Sequence, residues 1–216
     1  MIDTATDTGR PVLVLVGPPG AGKSTVGRVL GRRLGIAFTD VDTEIEARIG
    51  TTIADMFTSE GEDAFRAVER EVVAELLATD CGVLALGGGS VLAASTRALL
   101  RGHRVVSLKV GLADGIRRTG MSSARPLLAG VNPRATFREL LEARAPLYAE
   151  VATVEVDTVK RSANQVVAHV LAELGMDASD QALPADPADD VPTPGEPDEA
   201  DHSAPLPDPV FGRPTS

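Results

Sequence analysis

Gly17-Pro-Pro-Gly-Ala-Gly-Lys23-Ser24-Thr25 decides the fold of this chain. The stretch fits G-x-x-x-x-G-K-[ST], with Gly17, Gly22, Lys23 and Ser24 on the fixed positions. Just before it, Val12-Leu-Val-Leu-Val16 is an unbroken apolar run of the kind a buried parallel strand needs. Just after it, Val26, Leu30 and Leu34 mark the apolar face of a helix. Glycines let successive backbone N–H groups turn inward toward an anion, and the helix that follows adds the positive end of its dipole. The segment Gly20, Ala21, Gly22, Lys23, Ser24 and Thr25 is therefore expected to wrap the phosphates of a nucleoside triphosphate. Lys23 would reach the β- and γ-phosphates, and the Ser24 hydroxyl would coordinate Mg²⁺.

Working outward, four more apolar runs read as strands: Ile36–Thr39, Val83–Leu86, Val105–Val110 and Ala152–Val156. Helical patterns alternate with them, which predicts an α/β three-layer sandwich around a five-stranded parallel sheet. Phe65, Val68, Val72 and Leu76 mark a helix between the second and third strands. Ahead of it, Thr43 to Arg48 predicts a short helix closed by Gly50, and Thr52-x-x-Asp55 reads as a capping box opening the next. Asn132-Pro133 is a cap followed by proline in the first turn. Val166, Val167, Val170, Leu171 and Leu174 predict a final helix, ended by Gly175.

The net charge of −10 is unevenly distributed. From Asp177 onward there are ten acidic residues and one arginine, with nine of the fifteen prolines. That composition cannot offset its ordering entropy by burial, so 177–216 is expected to be a disordered tail. Residues 1–10 are expected to be a flexible N-terminus, leaving 11–176 as the phosphate-loop domain. Residues 1–176 together carry 21 acidic and 20 basic residues, no surplus with which to hold nucleic acid. The lone cysteine, Cys81, excludes an internal disulfide and a cysteine-based zinc site. No apolar run approaches the ~20 residues that span a bilayer, and the first ten residues lack a signal pattern. The expectation is a cytoplasmic protein without a membrane partner.

Several further residues suit chemistry. Asp40 and Asp42 fall at the end of the second strand, the edge where ligands bind in open parallel sheets. Alternation along a strand would point both the same way. One would serve Mg²⁺ and the other an attacking hydroxyl, unless one of them merely caps the next helix. Gly87-Gly88-Gly89 ends the third strand, where three glycines imply close backbone approach by a ligand or a permissive turn. Residues 120–131 hold one arginine, Arg125, between small residues, a composition that suits a lid closing over nucleotide. Arg125 would there meet the transferring phosphoryl group. Phe137, Leu140, Leu141 and Arg144 share one helical stripe. An arginine in a core position at the helix's end needs a partner, either a ligand carboxylate or a structural salt bridge. Arg66 borders an apolar face, and Arg118 beside Arg117 has no local distinction.

Taken together, Gly17–Thr25, Thr39-Asp-Val-Asp42, Gly61-Glu-Asp-Ala-Phe-Arg66, Gly87-Gly-Gly89, Arg125-Pro-Leu-Leu128 and Arg144-Ala-Pro-Leu-Tyr148 resemble the shikimate kinases, over roughly Val12 to Leu174. The resemblance implies a monomeric enzyme of the shikimate pathway that uses ATP and Mg²⁺ to phosphorylate the 3-hydroxyl of shikimate. It implies that Asp42 binds the hydroxyls near the reaction centre, and that Arg66 and Arg144 hold the carboxylate. Gly87, Gly88 and Gly89 would line the ring, Arg125 would arrive with the lid, and Arg118 would stack on adenine. Ser24 would bind Mg²⁺ with Asp40 near its water shell. Lys23, Asp42 and Arg125 would be the catalytic set. Where the family often has an Asn-Pro loop by the adenine, this chain has Lys160-Arg161-Ser162-Ala163. The rival readings are a gluconate kinase-like enzyme, which the Asp42, Arg66, triglycine and Arg144 set disfavours, and a non-catalytic nucleotide-binding module.

Overall fold

β1 (Leu13–Val16) is no more than 1% exposed at any residue. Successive side chains on a strand face opposite sides. A strand covered on both faces therefore shows no polar alternation, which is why this run is apolar throughout. Leu13 and Leu15 pack with Val26, Val29 and Leu30 of α1 (Lys23–Leu34) and with Val166, Val167 and Val170 of α8 (Ala163–Glu173). Val14 and Val16 pack into the opposite cluster with Ile45 of α2 (Val41–Ile49), Val72 and Leu77 of α4 (Glu62–Thr79), and Tyr148 of α7 (Pro133–Val151).

This computed structural model describes residues 12–80, 82–119 and 132–176. The expected flexible N-terminus, the lid with Arg125, Cys81 and the acidic tail all lie outside the described residues. Four more strands complete the sheet: β2 (Phe38–Asp40), β3 (Val83–Ala85), β4 (Val105–Lys109) and β5 (Val154–Asp157). All pair in parallel, in the order β2-β3-β1-β4-β5. The remaining helices are α3 (Ile53–Ser59), α5 (Ala94–Leu100) and α6 (Leu112–Thr119). Helices on both faces make the three-layer sandwich that the sequence implied. The chain leaves β1 for β2 and β3 on one side, then returns to β4 and β5 on the other. The carboxyl end of β1 is thus the switch point, where loops splay apart and a ligand fits.

Helix boundaries differ from the sequence reading in two places that matter for the site. β2 ends at Asp40, and α2 begins at once with Val41. Asp40 is its N-cap, its carboxylate accepting from the Asp42 N–H at 3.2 Å. Asp42 therefore lies in the first turn of a helix, and strand alternation does not explain its orientation. Likewise α7 does not end near Arg144: it continues through Pro146 to Val151. Its start follows the sequence, with Asn132 accepting from the Ala135 N–H at 3.1 Å and proline in the first turn. Thr52 opens α3 by accepting from the Asp55 N–H at 3.1 Å, and its hydroxyl donates to the Asp55 carboxylate at 2.7 Å. Gly61, at φ +86°, separates α3 from α4. Among the described residues no helix is long and apolar enough to cross a membrane.

Candidate active site

Two loops converge at the carboxyl edge of the sheet. The first, between β1 and α1, carries Gly22 at φ +88°, in the left-handed region that glycine alone adopts without strain. That turn starts α1 directly at Lys23 and leaves the helix N-terminus facing the loop. The Lys23 ammonium donates to the carbonyls of Gly17 at 2.8 Å and Pro18 at 3.2 Å, which hold it over its own loop. The Ser24 hydroxyl donates to Asp40 Oδ2 at 2.6 Å. Asp40 thus has two duties, capping α2 through one oxygen and meeting Ser24 through the other. A hydroxyl beside a carboxylate is a hard oxygen pair, the donor chemistry Mg²⁺ selects when phosphates and water complete its shell.

The second loop is the triglycine after β3. A methyl built on Gly87 would sit 2.7 Å from Asp42 Oδ1 and 2.9 Å from Glu69 Oε1, so both carboxylates reach this backbone. One built on Gly88 would meet Pro19 Cδ at 3.0 Å, and one on Gly89 would collide with the Arg66 guanidinium. Pro19, Asp42, Glu69 and Arg66 all approach this backbone closely.

Arg66 and Arg144 flank the same turn from different helices. Arg66 Nη1 donates to Glu69 Oε2 at 2.6 Å, while Nε and Nη2 donate to Glu62 Oε1 at 3.2 and 3.0 Å. Its guanidinium also lies 5.1 Å from the Phe65 ring centre. Burial opposes the charge on Arg66, but the two glutamates outweigh it and raise its pKa above the ordinary arginine value. Arg144 Nη1 donates to the Gly88 carbonyl at 3.0 Å. The partner of this inward arginine is a backbone carbonyl of the site, where the stripe pattern left a carboxylate or a salt bridge open.

Arg118 lies near the phosphate loop and is held. It donates to Thr158 Oγ1 and to the Thr158 carbonyl, both at 3.1 Å, and to the Gly20 carbonyl at 3.4 Å. Ser162, where the sequence departs from an Asn-Pro pair, caps α8 with a full capping box to Gln165. The structure therefore brings together Lys23, Ser24, Asp40, Asp42, Arg66, Gly87–Gly89 and Arg144, and sets Arg118 against Gly20.

Three supporting residues were not foreseen. Glu69 is 3% exposed and bridges Arg66 to the Ser90 hydroxyl, which donates to it at 2.7 Å. The signal existed: Phe65, Glu69 and Val72 share one stripe of α4, so an acid occupies a core position. Thr158, also buried, braces Arg118. Tyr148 donates to the Gly88 carbonyl at 2.6 Å.

A sequence model of the shikimate kinase family matches residues 19–175. The chain belongs to the shikimate kinase family. A shikimate kinase of Saccharopolyspora erythraea is 62% identical over 148 residues, covering 68% of this chain and 85% of that protein. Among solved structures, shikimate kinase from Acinetobacter baumannii in complex with shikimate superposes with a TM-score of 0.74 at 40% identity, covering 77% of this chain and 94% of that one. A gluconokinase from Sinorhizobium meliloti, at 24% identity and a TM-score of 0.51 over 78% of this chain and 93% of its own, shares the fold alone. The family match contains Gly20–Thr25, Asp40, Asp42, Arg66, Gly87–Gly89, Arg118, Arg125 and Arg144, and it stops before the acidic segment.

Proposed function

We propose that this chain transfers the γ-phosphoryl group of ATP to the 3-hydroxyl of shikimate, forming shikimate 3-phosphate and ADP. The observation that carries the reading is the contact of Gly88 with Pro19. It sets a backbone floor, flanked by two arginines and two carboxylates, directly against the phosphate loop. A small hydroxy acid bound there has its hydroxyl near the phosphates and its carboxylate near the arginines.

Roles follow from chemistry. Arg66 and Arg144 bind the carboxylate, where a planar fork gives directional pairing. Asp42 accepts a hydrogen bond from the reacting hydroxyl and orients it toward the phosphate loop. Lys23 neutralises charge on the β- and γ-phosphates, and Arg125 adds a cation at the transferring group. Ser24 and Asp40 are the oxygens that would hold Mg²⁺, which when bound neutralises phosphate charge. Arg118, held by its hydrogen bonds to Thr158, would offer a face to adenine. The enzyme acts as a monomer in the cytoplasm, with shikimate and MgATP as its partners. Phosphoryl transfer asks little covalent work of a protein, so positioning and charge carry the rate.

The test is a coupled ADP-release assay with MgATP and either shikimate or gluconate, run beside Asp42→Asn. The expected result is turnover with shikimate alone and a loss of at least a hundredfold in the variant. Turnover with gluconate, or ATP binding without release of ADP to either acid, overturns the assignment.

A further inference from the structure

The Gly88 carbonyl accepts two hydrogen bonds from one helix. Arg144 Nη1 reaches it at 3.0 Å and Tyr148 Oη at 2.6 Å. The two donors are four residues apart on α7, one turn along the same face. Tyr148 is 4% exposed and packs in the core cluster that also holds Val16 of β1 and Leu86 just after β3. A methyl built on Gly88 would meet Pro19 Cδ of the phosphate loop at 3.0 Å. Gly88 therefore lies close to both the phosphate loop and α7, and two donors fix the direction of its carbonyl.

A trans peptide is planar, so fixing the carbonyl fixes the N–H that follows it. Glycine on both sides makes this peptide intrinsically free to rotate, and an ordering device has something to restrain. Arginine alone is a poor restraint, because its long side chain must also serve a ligand. A phenol on a short, buried stem has fewer torsions to lose. We propose that Tyr148 is a positioning residue for the acid substrate, its hydroxyl clamping the Gly88 carbonyl so that the triglycine backbone and the Arg144 guanidinium are held ready for the carboxylate. Burial keeps that phenol protonated, and therefore a donor, far into the alkaline range.

This inference rests on shikimate being the acceptor, so wild-type turnover of shikimate is established first; its absence would defeat the functional reading and not the clamp. Tyr148→Phe is then compared with the active wild type, since phenylalanine keeps the buried ring and deletes only the donor. KM for shikimate should rise at least fivefold, with kcat and KM for ATP changed less than twofold. A purely structural tyrosine would move both Michaelis constants or neither, and either result overturns the proposal. Should the variant fail to fold, the wild-type chain still decides. Tyr148 is its sole tyrosine and there is no tryptophan, so 3-fluorotyrosine gives a single ¹⁹F resonance. That resonance should shift saturably with added shikimate, and a resonance unmoved at saturation refutes the clamp.

Discussion

At the residue scale, the site is a set of charges tied down by short backbone and side-chain partners. Lys23 rests on the Gly17 and Pro18 carbonyls, and Arg144 on that of Gly88. Their expected losses differ in kind. Lys23→Ala should lower kcat by at least a hundredfold, because its contact strengthens as charge moves in the transition state. Arg144→Ala should raise KM for shikimate at least tenfold with a smaller change in kcat, because a carboxylate contact exists already in the ground state. Steady-state kinetics with each substrate varied in turn separate the two, and an Arg144→Ala variant with unchanged KM would remove it from the acid site. Tyr148 gives a stability prediction. Burial pushes its phenol from the usual 10.0 up to about 12, against the opposing pull of Arg144 and then Arg66. The folded state thus favours the protonated phenol, so this contribution is whole below about pH 10 and is lost as pH rises toward about 12. The shift of two units corresponds to ~3 kcal/mol. Urea unfolding of wild type and Tyr148→Phe between pH 9 and 12 should show a steeper alkaline decline in the wild type, and parallel curves would contradict it.

What the sequence made legible divides along the same lines. Arg144 was visible because a charge broke an apolar stripe. Glu69 left the same mark on α4 and was passed over, since one acid among Phe65 and Val72 looks like an ordinary helix edge. Tyr148 left none, because an aromatic residue on an apolar face reads as core until its hydroxyl is seen to reach Gly88. Strand alternation predicts that Asp40 and Asp42 point the same way, but the helix begins at Val41, so Asp40 caps it and Asp42 lies in its first turn.

At the scale of elements, the site depends on how closely two loops and two helices approach. Gly87→Ala tests that closeness. The added methyl would fall 2.7 Å from Asp42 Oδ1 and 2.9 Å from Glu69 Oε1, well inside van der Waals contact. Shikimate KM should rise at least tenfold while ATP KM stays within twofold, and equal effects on both would show that the loops move together. The start of α7 offers a contrast. Asn132→Ala removes the acceptor for the Ala135 N–H and should cost about 1 kcal/mol of stability, read by thermal or urea unfolding. Arg144 and Tyr148 lie three turns or more further along, so both Michaelis constants should change less than twofold. β1 and β3 were readable because buried strands carry unbroken apolar runs. The exact helix ends were not, since Pro146 sits inside α7 where a proline usually signals a stop.

At the scale of the whole molecule, the domain is nearly neutral while the acidic segment beyond it carries almost all of the net charge. The family match ends at Gly175, and every residue proposed for the site precedes it. Removal of 177–216 should therefore leave kcat and both Michaelis constants within twofold, and a tenfold loss would give that segment a part in catalysis. The reaction makes one new bond, between the γ-phosphorus and the oxygen on carbon 3 of shikimate. The most direct test is a phosphorus–proton correlation NMR spectrum of the purified product formed from MgATP and shikimate. The expected product is a phosphate monoester whose phosphorus couples to the proton on carbon 3. Phosphorus coupled to another ring proton, or appearing only as inorganic phosphate, would contradict it.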